Sequence, residues 1–178
     1  MSHREALLQE AQNSYDLPVT WKQEIPAAWT DYNGHMNEVH YLEAAARSTD
    51  RFLEMIGADT AYVTSGKTFF TVETHIRYLS EVCAGERIAV TTQVLEGAGK
   101  KVHLFHRLWR GDDTLAATVE TLLLHMDLTT RRVSLPDPSV AGTLGHFATA
   151  HAGLTAEGAG RFVGERTVTK PSTESRRT

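Results

Sequence analysis

The sequence predicts an α+β fold in which one long helix is held against a curved antiparallel sheet. Three observations carry this. From residue 39 to residue 56, Val39, Leu42, Ala46, Thr49, Leu53 and Ile56 recur at spacings of three and four, which is the period of a helix. From residue 68 to residue 132 the period falls to two, broken by short glycine-containing turns, as in consecutive antiparallel strands. Ahead of both, a strand-like stretch at 19–25 ends at Pro26 and gives way to a polar loop that runs straight into the helix.

Taken in order, residues 4–14 can form a short helix with Ala6, Leu7, Leu8 and Ala11 on one side, stopped by Pro18. Residues 1–18 are therefore an N-terminal extension. The first strand, 19–25, opens a main domain spanning 19–135. Asn37 suits an N-cap, since its side chain can accept a bond from an N–H of the first turn. Glu38 beside it complements the positive end of the helix dipole, and Gly57 fits the C′ position just past the last turn. In the next segment, 68–79, Phe70, Val72, Ile76 and Tyr78 alternate with Thr71, Glu73, His75 and Arg77, which predicts the first set on one face of a strand. Residues 86–96 and 101–110 form the next two strands, joined at "GAGK", a hairpin signal. The run 114–132 is long for one strand, so a bend or bulge is expected in it. Pro136 and Pro138 close the sheet, and 136–178 carries a weak helix at 139–152 followed by a tail, from Gly153, that is mobile or draped on the surface. One such sheet leaves an exposed edge, and pairing with a second copy is the usual remedy. A homodimer or homotetramer is expected.

Composition narrows the function classes. With 178 residues, 41% apolar and 22% charged, the chain is long enough for one domain with its own core. A net charge of −4 without a dense Lys/Arg run argues against nucleic acid, which needs many phosphate contacts. No apolar run is long enough to span a bilayer, and the first residues lack the apolar core of a secretory signal. A cytoplasmic location with no membrane contact is the expectation. Cys83 is the only cysteine, so no internal disulfide can form, and it reads as a small packing residue. His103 and His106, three apart on a strand, face opposite sides and cannot share one ion. No metal site is expected, and no G-x-S-x-G elbow supports a Ser-His-Asp arrangement.

The informative stretch is the loop before the helix, "DYNGHMN" at 31–37, with Tyr41 and Leu42 following. Motif and strand order together resemble the hotdog-fold acyl-CoA thioesterases of the 4-hydroxybenzoyl-CoA thioesterase type, which carry D-x-x-G-H-x-N at this place. The likeness covers roughly 19–135. Within that family, "DYNGHMN", "HIRYL" and "KVHLFHRLW" are most similar to the bacterial betainyl-CoA thioesterases of carnitine breakdown. One departure stands out: Glu38 occupies a position where the family commonly has a second asparagine.

The resemblance implies hydrolysis of a small acyl-CoA to free acid and CoA, without a cofactor. It makes Asp31 the catalytic carboxylate, attacking the carbonyl directly to give a mixed anhydride or acting as general base on water. Read without the motif, Asp31 is an Asx-turn or capping residue shaping the loop. Free N–H groups around Asn37, Glu38 and Val39 are candidates for polarising the thioester carbonyl. Gly34 would allow a positive φ and a close backbone approach. His35 would bond Asp31 or a water, or fix the loop, and Asn37 would position the attacking water or cap the helix. For the substrate, Trp29, Tyr32 and Tyr41 supply aromatic surface, with Trp29 and Tyr32 as the expected cage for a trimethylammonium. Arg77, Lys101, Arg107 and Arg131 are basic residues for the CoA phosphates, Arg77 foremost. Two other functions fit the same fold: an acyl-thioester hydratase or dehydratase pairing His35 with Asp31, and a non-catalytic acyl-CoA-binding protein.

Overall fold

The computed structural model describes residues 17–161 and Val163; the helix expected at 4–14 and the tail beyond 163 lie outside the described residues. Strand β1 (Val19–Glu24) leads through a 3-10 turn (Ala27–Trp29) to helix α1 (Glu38–Met55). A short helix α2 (Thr60–Thr64) follows, then β2 (Lys67–Tyr78), β3 (Arg87–Glu96), β4 (Lys101–Arg110) and β5 (Leu115–Asp127). A two-residue strand β6 (Arg132–Val133) and helix α3 (Pro138–His151) complete the described chain. The antiparallel sheet curls around α1, which is the hotdog architecture.

Helix α1 begins as its sequence dictates. Asn37 has extended backbone angles and its Oδ1 accepts the Val39 N–H at 3.2 Å, while Gly57 follows the last turn at φ +88°, a conformation that costs glycine little. The buried face is rotated from the expected stripe. Tyr41, Ala44, Ala45, Ser48, Thr49, Phe52 and Met55 are buried, whereas Val39 and Leu42 are exposed. The small residues Ala44, Ala45 and Ser48 explain this, because they let the helix lie close against the sheet where bulkier side chains would hold it off. A buried polar chain ties the two layers together: the Thr49 hydroxyl lies 2.9 Å from His106 Nε2, and Thr92 Oγ1 lies 2.9 Å from Nδ1. His106 is fully buried, which pushes its pKa down to about 3 and keeps the ring neutral.

The sheet order is β1-β3-β4-β5-β2, with β6 on β5. Only β3, β4 and β5 form a meander; β2 does not pair with β3 as a simple succession of hairpins would have it, but crosses to the far side and pairs with β5. A bulge between Thr71 and Glu73 breaks its alternation, so Phe69 is the buried residue and Phe70 and Val72 stand exposed. This corrects the expected facing of Phe70 and Val72. The long run 114–132 is divided by a turn after Asp127 whose carboxylate accepts the Thr129 and Thr130 N–H groups. Cys83 is exposed rather than packed.

Two clusters make up the core. Ile25, Met36, Tyr41, Ala44, Val82, Val90, Leu108 and Val119 lie under the N-terminal half of α1, next to the loop. Phe52, Met55, Phe69, Leu104, Leu123, Val140, Leu144 and Phe147 form the second, so helix α3 shares a core with α1. Beyond α3, the chain from 153 to 161 lies across the sheet. Leu154 O accepts from Gln93 Nε2 (3.0 Å), Thr155 O from Arg107 Nη2 (2.9 Å), and the Gly160 N–H donates to Glu120 Oε2 (2.7 Å).

Candidate active site

Residues 30–37 form a compact loop held by its own backbone. Asp31 N–H donates to His35 O (2.9 Å), Gly34 N–H to Asp31 O (3.0 Å), Met36 N–H to Val82 O (2.7 Å) and Asn37 N–H to Trp29 O (2.8 Å). Gly34 sits at φ +81°, and a Cβ there would meet nothing within 4 Å. The glycine is thus required for its backbone angle, not for space.

Asp31 is half-buried at the start of this turn. Its Oδ1 accepts the Asn33 N–H at 2.8 Å and the His35 N–H at 3.4 Å; Oδ2 has the Asn33 side-chain amide at 3.3 Å. The Asn33 N–H holds the carboxyl below its usual pKa against the opposing effect of desolvation, with the Asn33 side-chain amide and the His35 N–H adding to the lowering. Asp31 is ionised at neutral pH. The Asx turn and a reactive carboxylate are therefore compatible, since the turn occupies mainly one oxygen.

The loop and the start of α1 meet the end of β2 in a cavity of about 410 Å³, lined by Asp31, Asn33, His35, Asn37, Glu38, Tyr41, Tyr78 and Glu81 among others. Of the first-turn amides expected to be free, Asn37 N–H is bonded to Trp29 O and Val39 N–H to Asn37 Oδ1. His40 N–H bonds Asn37 O. Among the described residues, the Glu38 N–H alone of these has no acceptor, and it lies at the positive end of the helix. The His35 ring does not bond Asp31: its Nε2 lies 3.3 Å from Glu81 Oε2, and its backbone bridges Cys83. Asn37 caps the helix.

The substrate-binding candidates divide. Tyr41 lines the cavity, with its hydroxyl donating to Ser80 O at 3.4 Å and its ring set edge-to-face with Tyr78 (centroids 5.3 Å apart, 84°). Burial raises its pKa. Trp29 does not line the cavity. Its ring stacks on His40 (4.5 Å, 2°) and faces Trp21 (6.0 Å, 12°), so it supports the loop from behind. Tyr32 is 97% exposed at the loop tip, outside the cavity lining. Arg77 also lies elsewhere; its guanidinium packs so closely on Gly158 that a Cβ there would collide with it. Arg107 is buried, Nη2 bonding Gln93 Oε1 and Thr155 O, and Lys101 pairs with Glu96. The expected cage of Trp29 and Tyr32 is thus not assembled, while Tyr78 and Glu81, which no motif marked, join the site. The signal for them lies in strand pairing: β2 on β5 carries its C-terminal end to the mouth of α1. Among the described residues no group of three or more His, Cys, Asp and Glu is placed to hold a metal ion, and no helix is long and apolar enough to cross a membrane.

Residues 25–144 match the model of the thioesterase-like superfamily. The chain is 53% identical over 146 residues to an L-carnitine dehydrogenase/betainyl-CoA thioesterase of Ruegeria pomeroyi, which covers 82% of this chain and 30% of that protein. The chain thus spans about a third of that relative's length. It is 34% identical over 148 residues to the betainyl-CoA thioesterase of Pseudomonas aeruginosa, covering 82% of this chain and 93% of that one. Among solved structures, a Staphylococcus aureus protein in complex with CoA superimposes with a TM-score of 0.79 at 26% identity, over 86% of this chain and 99% of that chain. The chain belongs to the thioesterase-like superfamily.

Proposed function

We propose that this protein hydrolyses a small acyl-CoA thioester to the free acid and CoA, with betainyl-CoA as substrate, as the names of its relatives in carnitine catabolism suggest. The observation that carries the reading is the pairing, across one cavity, of an ionised carboxylate with an uncommitted helix-end amide. The thioester carbonyl oxygen accepts from the Glu38 N–H, where the helix dipole favours the charge that develops on it. Asp31 takes a proton from water as the water oxygen attacks the carbonyl carbon; the C–S bond then breaks, and the CoA thiolate leaves and is protonated. A carboxylate at this place can also attack the carbon itself, giving an anhydride that water opens. A single turnover in ¹⁸O-water that leaves label in Asp31 identifies the anhydride route with water opening at the Asp31 carbonyl, and trapping of an acyl-Asp31 adduct identifies it where water opens the anhydride at the acyl carbon.

His35, Gly34 and Asn37 act on this site through its shape: Gly34 by its turn, Asn37 by capping α1, His35 through Glu81. The hydratase alternative pairs a histidine with Asp or Glu; the His35 ring lies beside Glu81 and not Asp31, so that second reading would run through His35 and Glu81, and hydration of an enoyl-CoA without thiol release would favour it. A second copy of the chain is the proposed partner. Strand β2 ends the sheet with one edge unpaired among the described residues, and Phe70, Val72, Tyr78 and Leu79 stand exposed along it, which supports a homodimer or homotetramer; its proposed location is the cytoplasm.

The test is thiol release from a panel of betainyl-, acetyl-, short straight-chain, 4-hydroxybenzoyl- and long-chain acyl-CoA. Betainyl-CoA is expected to give the highest kcat/KM. Preference for another acyl group would keep the hydrolysis and discard the substrate, and no release from any of them would discard the hydrolysis.

A further inference from the structure

We infer that Glu38 and Glu81 select the acyl group by its positive charge, holding a quaternary ammonium against the rings of Tyr41 and Tyr78. The inference rests on the acyl-CoA hydrolysis proposed above and assigns the residues that would make it specific.

The cavity is lopsided in charge. Asp31, Glu38 and Glu81 line it, and among the described residues neither Lys nor Arg does. Among the described residues Glu38 has no ion pair, and the ion-pair partner of Glu81 is the His35 ring. The nearest guanidinium, Arg110, donates to the backbone oxygen of Glu81 at 3.0 Å but commits its Nη2 to Asp112 at 2.6 Å, so it does not neutralise the Glu81 carboxylate. Three carboxylates around one cavity repel each other and any anionic acyl group, and they are relieved by a cation. Asp31 has a part in the chemistry. Glu38 and Glu81 have none that needs their side chains.

The aromatic wall is of the matching kind. The Tyr41 hydroxyl donates to Ser80 O and the Tyr78 hydroxyl to Glu38 O, which ties both polar tips to backbone; Tyr78 is 49% exposed and supplies the ring surface, and the buried Tyr41 backs it in an edge-to-face contact. A trimethylammonium has no N–H to donate. It is held by π-faces and by negative charge spread around it, as this wall and these carboxylates provide. Distance along the substrate supports the same residues. In a betainyl group the nitrogen is two bonds from the carbonyl carbon, so once the carbonyl oxygen meets the Glu38 N–H, the ammonium falls inside this cavity. No separate subsite is needed, and residue 38 addresses the oxygen through its backbone and the ammonium through its side chain.

The experiment compares betainyl-CoA with 3,3-dimethylbutanoyl-CoA, in which a carbon replaces the charged nitrogen at nearly constant shape. The readout is the ratio of their kcat/KM values, so that any loss common to both substrates cancels. Wild type is expected to favour betainyl-CoA, and E38Q and E81Q each to lower that ratio roughly three- to thirtyfold, with E38D and E81D restoring much of it. A ratio unchanged in both Gln variants overturns the inference, as does a wild type that turns over the two substrates equally; in either case the hydrolysis proposed above stands. If wild type cleaves neither thioester but cleaves another acyl-CoA of the panel, the inference falls and the hydrolysis stands; if it cleaves none of them, both fall.

Discussion

The ring of His35 is turned away from Asp31. Its Nε2 lies 3.3 Å from Glu81 Oε2, and what joins the two motif residues is backbone: the Asp31 N–H donates to His35 O at 2.9 Å, and the His35 N–H lies 3.4 Å from Asp31 Oδ1. The histidine thus spaces and orients the loop, and both turn N–H groups fall on Asp31 Oδ1, leaving Oδ2 with the Asn33 side-chain amide at 3.3 Å.

Asp31→Asn tests the carboxylate with little change of shape, because the amide oxygen can still accept the Asn33 N–H. Turnover is expected to fall by roughly 10²–10⁴-fold, with melting temperature and circular dichroism nearly unchanged. In the wild type, the acid limb of kcat/KM assigned to Asp31 should lie below the ordinary carboxylate value of 3.8, since the Asn33 N–H favours its charged form. Unchanged turnover in the variant would remove Asp31 from the mechanism.

Glu38→Pro isolates the amide. Residue 38 is the first of α1, where proline is tolerated because its missing N–H has no helical partner. The residue before it, Asn37, already has the extended angles (φ −63°, ψ 145°) that a following proline demands. The helix should therefore survive while the uncommitted donor disappears. Relative to Glu38→Ala, which keeps the N–H, kcat is expected to drop about 10²–10³-fold. Equal rates in the two variants would place the oxyanion elsewhere.

His106 makes stability depend on pH. Its folded pKa, pushed to about 3 by burial, lies below its unfolded value, so between those values only the unfolded chain takes up the proton. Stability is full above about pH 6.5 and declines as pH falls. The loss from this residue is about 2 kcal/mol between pH 7 and pH 5. Urea unfolding at the two pH values measures it, and His106→Gln, whose amide can still bond Thr49 and Thr92, should show a flatter profile.

Gly97 marks where α3 rests on the β3–β4 hairpin. A Cβ there would lie 2.9 Å from Leu144 Cγ and 3.2 Å from the Ala148 Cβ, which is too close for either. Gly97→Val is expected to cost about 1–3 kcal/mol. Adding Leu144→Ala should make the second substitution cheaper than it is alone, a coupling that a double-mutant cycle on denaturant midpoints would detect.

Local chemistry in the sequence was enough for the elements whose causes are local. The three-and-four spacing after Asn37, the cap itself and Gly57 fix a helix and its ends within a few residues, because backbone angles and first-turn hydrogen bonds are settled by neighbours in the chain. The same holds for the Asp31 turn, which Asn33 and Gly34 complete, and for the hairpin between β3 and β4. Asp31, Gly34, His35, Asn37 and Glu38 were legible as a group because they stand in one contiguous stretch whose motif resembles that of the hotdog thioesterases; local chemistry alone marks a turn and a helix cap there.

Tertiary structure decided what depends on long-range pairing. A period of two says that residues 68–79 form a strand but not which neighbour it takes, and pairing β2 with β5 rather than β3 is what carries Tyr78 and Glu81 to the site. One extra residue at the bulge near Val72 reverses the faces of the preceding residues, burying Phe69 and exposing Phe70, and no local signal announces it. The rotation of the buried face of α1 toward Ala44, Ala45 and Ser48 is likewise a property of how closely two layers pack. So the sequence alone determined where the Asp31 carboxylate and the helix-end amides lie, and only the fold determined what stands opposite them, because the first is fixed by adjacent residues and the second by strands brought together from distant parts of the chain.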